Sequence, residues 1–154
     1  MKPDMILKSM AGDGNSMPKS LGLYMDLSHE DVRKRLVSDV KNNPDDYVEL
    51  LPEDKLNDWW KTMKKEGERC DDLAVKAAAN ALRVPIVVFR KQNPDQSPAC
   101  FLPRVSCADV DPCCLELDER GADQPNYKPT GFKHYNILLP LQRLHLVRQQ
   151  FLAI

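Results

Sequence analysis

Apolar residues recur at helical spacing in the first half of the chain and gather in short β-branched runs in the second. Val32, Leu36, Val37 and Val40 form one stripe, which predicts a helix from its cap, Ser28, to about Asn42. Pro52 suits the first turn of a second helix. There Leu56, Trp59, Trp60 and Met63 fall at i, i+3, i+4 and i+7, so both tryptophans are expected to face the core. Asp71 or Asp72 can cap a third helix over about 73–82, whose alanines permit close packing on a sheet. Leu144, Val147 and Phe151 make a weaker stripe over 141–151. Strands are expected at 84–90, 99–102, 113–117 and 135–139. Helices precede strands, which predicts an α+β fold: a small central sheet covered by helices, in one domain spanning 1–154.

Composition narrows the function. Hydrophobic residues make up 42% of the chain and charged residues 29%, an ordinary globular balance. The 22 basic and 23 acidic residues leave a net charge of -1, so no broad nucleic-acid footprint is expected. The longest apolar runs, such as Ile86-Val87-Val88-Phe89, fall far short of the ~18 residues of a membrane span. Met1-Lys2-Pro3-Asp4 leads into no apolar signal region. The five cysteines, Cys70, Cys100, Cys107, Cys113 and Cys114, are odd in number and contain no C-x-x-C pair. Reduced thiols in the cytoplasm are the expectation, with no zinc site and no cofactor.

The most unusual local sequence is Gly12-Asp13-Gly14-Asn15-Ser16-Met17-Pro18-Lys19-Ser20. Its glycines mark a sharp turn, and a helix can begin after it with Pro18 in the first turn. Ser16 then sits at a helix N-terminus, where unpaired N–H groups and the dipole favour negative charge. Three phosphate, nucleophile and calcium motifs fail here. Pro18 replaces the glycine of a P-loop, and Pro18 also breaks the last position of a G-x-S-x-G elbow. Met17 and Pro18 stand where a calcium loop needs a ligand and a glycine. By itself the stretch also reads as a helix-entry loop in which Asp13 and Ser16 cap backbone groups.

One family fits both this segment and the far end of the chain. Gly12-Asp13-Gly14-Asn15-Ser16 resembles the Gly-Asp-Gly-Asn-Cys signature of the ovarian tumour (OTU) cysteine proteases. His134-Tyr135-Asn136 resembles their second signature, a histidine followed two residues later by Asn or Asp. His29-Glu30-Asp31-Val32-Arg33 is similar to the helix after the nucleophile, and Val84-Pro85-Ile86-Val87-Val88-Phe89 to a following strand. Glu66-Gly67-Glu68-Arg69-Cys70-Asp71-Asp72-Leu73-Ala74 resembles the family's Gly-x-Trp-Gly segment, with the tryptophan missing. Motif order agrees over about residues 10–140.

The resemblance implies a compact papain-type fold and a deubiquitinase, a thiol-dependent isopeptidase that cleaves ubiquitin or ubiquitin-like C-terminal conjugates. Ser16 stands at the nucleophile position. His134 is the implied general base and acid, Asn136 its orienting partner, and the backbone amide of Asp13 an oxyanion donor. His134 and Asn136 lie two apart on a strand, so their side chains emerge on one face. Gly14, Asn15, Asp71, Asp72, Lys133 and Tyr135 are the implied substrate contacts. Asp26 and Glu30 are further carboxylates that could meet arginines of the ubiquitin tail. The loops 90–98 and 118–133 resemble segments that touch the globular part of ubiquitin.

A hydroxyl is not appreciably ionised where a thiol is, so this chain is expected to bind substrate and barely turn it over. Ser16 is either an engineered exchange that traps a complex or natural, which makes the chain a ubiquitin-binding pseudoenzyme. A third reading is an unrelated α+β interaction domain, with Ser16 and His134 far apart. The expected partner is ubiquitin or a ubiquitin-like protein, not nucleic acid or membrane, with the chain acting as a monomer.

Overall fold

The computed structural model describes residues 5–8, 10, 14–105, 110–119 and 134–140. Four helices precede most of a five-stranded sheet. The elements are β1 (Met5–Lys8), α1 (Ser16–Met25), α2 (His29–Asn42), a 3-10 turn (Pro44–Asp46), α3 (Glu53–Met63) and α4 (Asp72–Leu82). β2 (Ile86–Arg90), β3 (Ala99–Phe101), β4 (Cys113–Asp118) and β5 (His134–Pro140) follow. The expected helix at 141–151 lies outside the described residues, as do Cys107, Asp13, Lys133 and most of the loop 118–133.

Strand order is β1-β5-β4-β2-β3. β2 and β4 run parallel, and the other neighbours are antiparallel. Alternation gives β5 two different faces. Tyr135, Ile137 and Leu139 join Leu115, Leu117, Ile86 and Val88 in the core beneath the helices. His134 and Asn136 point the other way, and register sets them beside Asp118 and Glu116 of β4.

Local chemistry explains the helices. Ser28 caps α2 by accepting the Asp31 N–H at 3.2 Å, and the predicted stripe Val32, Leu36, Val37 and Val40 is buried. α4 is capped by Asp71, the first of the two candidates, which accepts the Ala74 N–H at 2.9 Å. Its Ala74, Ala77, Ala78 and Ala79 are wholly buried, so the helix lies close against its neighbours. Tyr47, after the 3-10 turn, is also fully buried. Its hydroxyl donates to Asp39 and accepts from Asn80 at 2.9 Å, which ties the loop to α2 and α4.

One tryptophan departs from expectation. Trp59 is buried, and its indole N–H donates to Asp71 at 2.8 Å. Trp60 is only half-buried, on the rim of the core, with Lys41 Nζ 4.3 Å from its ring centroid. A ring lying between core and water gains from a cation over its face, so the i+4 position need not face inward. Asp71 thus carries two duties, a helix cap and an indole acceptor. Asp71→Ala is expected to cost about 1–3 kcal/mol, measured by urea unfolding.

Candidate active site

α1 begins at Ser16 because the preceding turn is shaped by glycine. Gly14 has φ +85°, in the left-handed region that favours glycine. A Cβ there would lie 1.8 Å from the backbone oxygen of Gly67, so only glycine permits this close stacking of the two segments. Asn15 follows as the N-cap residue, yet its side chain makes no capping bond. Instead its Oδ1 accepts the Gly67 N–H at 2.7 Å and Arg33 Nη2 at 2.9 Å, while its backbone carbonyl starts the helix by accepting Lys19 N–H at 2.9 Å.

The far end of the chain comes to this turn. The β1 ladder on β5 stops at Ile137. Beyond it, the Tyr135 N–H donates to Ser16 Oγ at 3.0 Å, across 119 residues of sequence. The hydroxyl therefore touches the backbone next to His134, which excludes an arrangement with Ser16 and His134 on opposite sides of the molecule. Ser16, His134 and Asn136 are all buried, at 4%, 6% and 6% exposure.

The hydrogen bonds fix the histidine tautomer. Asn136 Oδ1 accepts the Met10 backbone N–H at 3.0 Å, and Asn136 Nδ2 faces Glu116 Oε1 at 3.4 Å. A backbone amide can only donate and a carboxylate only accept, so the amide of Asn136 has one sensible orientation. Its Oδ1 also meets His134 Nε2 at 2.9 Å. Nε2 must then carry the proton. In the neutral ring Nδ1 is left as the basic nitrogen, and that atom is buried.

Other expected site residues fall into different places. Tyr135 reaches the site through its backbone only. Its ring is 2% exposed, and burial with the nearby Asp72, Cys70 and Asp71 pushes its hydroxyl pKa far up. A substrate contact by that side chain gives way to a core role, because 135 and 134 face opposite sides of the strand. Asp71 has both oxygens engaged, by Ala74 N–H and Trp59 Nε1. Asp72 is exposed in the first turn of α4, and Asp26 is exposed at the end of α1. Glu30 pairs with His29 Nε2 at 3.1 Å. Asp13 and Lys133 lie outside the described residues.

None of the described cysteines is placed to stand in for a nucleophile. Burial pushes the Cys70 thiol up to about 12, against a smaller opposing effect of Arg33. Cys113 and Cys114 are buried in β4, and Cys100 lies on the edge strand β3. Among the described residues one group of metal-type ligands occurs, His29, Glu30 and Glu66, whose donor atoms lie within 4.8 Å. Two of its members are exposed carboxylates, and it is an ordinary surface charge arrangement.

Three participants are given no role at the site by the sequence: Arg33 and Gly67, which stand there only within the motif segments, and Glu116. Arg33 had a readable signal. It precedes Leu36, Val37 and Val40 at i, i+3, i+4 and i+7, so it occupies a core position of α2. Glu116 had none, because only strand register sets it beside Asn136.

Comparison with known proteins bears on the fold and the family. Residues 11–107 match the family of OTU-like cysteine proteases. An ovarian tumour domain-containing deubiquitinating enzyme 10 of Arabidopsis thaliana is 39% identical over 81 residues, 51% of this chain and 22% of that protein. The chain thus spans about a fifth of that relative's length. The viral OTU domain protease of Dera Ghazi Khan virus superposes with a TM-score of 0.66 at 15% identity, covering 88% of this chain and 81% of that one. The Hazara virus OTU bound to ubiquitin gives a TM-score of 0.60 at 18% identity, covering 89% and 82%. These likenesses establish the fold, and His134 to Asn136 lie past the end of the family match. With that match spanning most of its length, the chain belongs to the OTU-like cysteine proteases.

Proposed function

We propose that this domain is a ubiquitin-directed deubiquitinase scaffold in which Ser16 holds the nucleophile's place, so that it binds conjugates and hydrolyses them hardly at all. The observation that carries the reading is the bond between Ser16 Oγ and the Tyr135 N–H, beside a histidine whose Nε2 is tied to Asn136. That ubiquitin is bound by a protein of this fold supports the choice of substrate. The serine hydroxyl is hydrogen-bonded and buried, so the site keeps its shape for binding whichever way the serine arose.

With a thiol at position 16 the reaction is as follows. His134 Nδ1 takes the thiol proton, and the thiolate forms a bond to the carbonyl carbon of the terminal glycine. Negative charge builds on the carbonyl oxygen at the N-terminus of α1, with the Asp13 amide as the proposed further donor. The imidazolium returns its proton to the leaving amine as the C–N bond breaks. Water, deprotonated by the same ring, then cleaves the thioester and frees the thiol. Asn136 keeps Nε2 protonated and so keeps Nδ1 basic. Asp72 is the carboxylate we propose for an arginine of the ubiquitin tail. The domain is proposed to work as a monomer in a reduced cytoplasm.

The test is Ser16→Cys assayed with a ubiquitin C-terminal fluorogenic amide. Fluorophore release is expected, and silence from a folded variant with both ubiquitin and ubiquitin-like substrates would overturn the reading. In the same background Glu116→Ala is expected to lower kcat about threefold to tenfold, because Asn136 can then rotate its amide. Glu116→Gln should recover part of that loss, since its side-chain carbonyl can still accept. Steady-state kinetics of the two variants checks this.

A further inference from the structure

Arg33 is 3% exposed, and no carboxylate lies against it among the described residues. Its Nη1 donates to Met63 O at 3.0 Å. Its Nη2 donates to Asn15 Oδ1 and Glu68 O, both at 2.9 Å, and lies 3.4 Å from Gly14 O. Among the described residues its neighbours are these neutral oxygens and the buried Cys70 thiol. A buried cation without a carboxylate is costly to keep, so stability is a poor reason for an arginine at a core position of α2. Leucine or methionine would fill that stripe at less cost.

What the guanidinium does here is geometric. Its planar fork spans three segments that are distant in sequence: the turn before Ser16, the end of α3 and the loop ahead of α4. Nη2 and the Gly67 N–H converge on the same oxygen, Asn15 Oδ1, and pin it from two sides. Asn15 is the residue immediately before Ser16. The Gly14 carbonyl, one residue further back, faces the same Nη2. The charge sits next to the turn where a thiolate and then an oxyanion would form, and low-dielectric surroundings strengthen its effect.

We propose that Arg33 is a positioning residue: it sets the Gly14–Asn15 turn, and with it the approach of the position-16 nucleophile, and its buried charge favours the thiolate there. The proposal rests on the hydrolase reading above, and its test separates the two. Three variants are made on the Ser16→Cys background. Arg33→Lys keeps the charge and loses the fork; Arg33→Met loses both. Asn15→Ala removes the acceptor and leaves Arg33 in place.

Arg33→Lys and Asn15→Ala are each expected to lower kcat about tenfold to a hundredfold with KM within about twofold, the mark of misplacement and not of lost binding. The rate of iodoacetamide alkylation at residue 16, followed by peptide mass spectrometry across pH, reads the thiol without any ubiquitin chemistry. Arg33→Met is expected to move its acid limb to higher pH, and Arg33→Lys to move it less. Variants that melt like the Ser16→Cys parent, turn over like it and alkylate on the same pH curve would overturn the proposal. If Arg33→Met fails to fold, Asn15→Ala and Arg33→Lys still decide it. If the parent itself is inactive, the hydrolase reading fails, and the alkylation curves still say whether Arg33 acts on position 16.

Discussion

Ser16→Cys is expected to raise the rate of ubiquitin C-terminal amide hydrolysis by at least about a thousandfold over the serine chain. The size follows from the acid being deprotonated. A free thiol has a pKa of ~8.5, and a helix N-terminus with a neighbouring imidazolium brings it lower. An alcohol stays protonated under the same influences, even with the Tyr135 N–H donating to the Ser16 hydroxyl at 3.0 Å. The variant's rate should rise with pH as thiolate forms, the imidazolium stabilising the thiolate. His134→Ala in that background should return the rate to that of the serine chain, since no ring would remain to take the thiol proton and protonate the leaving amine. Binding gives the complementary result. The serine chain should retain ubiquitin in a pull-down or titration while releasing no fluorophore. A serine chain that hydrolyses as fast as the variant would remove the thiol from the mechanism.

How much of this was legible in the sequence depends on whether the information was local. The α2 stripe and the Ser28 cap could be read because helix periodicity and capping act within a few residues. The Asp71 cap was legible for the same reason, but its bond to Trp59 was not, since that requires α3 and α4 to meet. β1 was missed: Met5–Lys8 is a short edge strand that gets its identity from pairing with β5, about 130 residues away. Tyr135 shows the limit most clearly. Its place beside His134 in a motif drew it into the site, whereas strand alternation turns its ring into the core and leaves only its amide facing Ser16. Ser16 and His134 themselves were paired through family resemblance, because no spacing rule connects two residues at opposite ends of a chain. Arg33 was visible as an arginine in an apolar stripe, yet its purpose required the three segments that surround it.

Gly14→Ala is expected to be the most damaging single-methyl change among the described residues. Two costs add. At φ +85° an alanine is strained by about 1–2 kcal/mol. The new Cβ would also lie 1.8 Å from Gly67 O, a backbone atom that cannot rotate away as a side chain would. Relieving that overlap means shifting one segment against the other, for about a further 1–3 kcal/mol. A total of about 2–5 kcal/mol is a large part of the ~5–15 kcal/mol that holds an ordinary domain together, and it should lower the thermal midpoint by roughly 5–15 °C. Function should suffer more than stability. Moving the turn pulls Asn15 Oδ1 off the Gly67 N–H and Arg33, and carries the start of α1 away from the Tyr135 amide. In the Ser16→Cys background, at a temperature where the variant is fully folded by circular dichroism, hydrolysis should still fall by about a hundredfold. A variant that melts within about 2 °C of its parent and keeps its rate would mean that the glycine loops do not stack as described, and the site built on them would have to be redrawn.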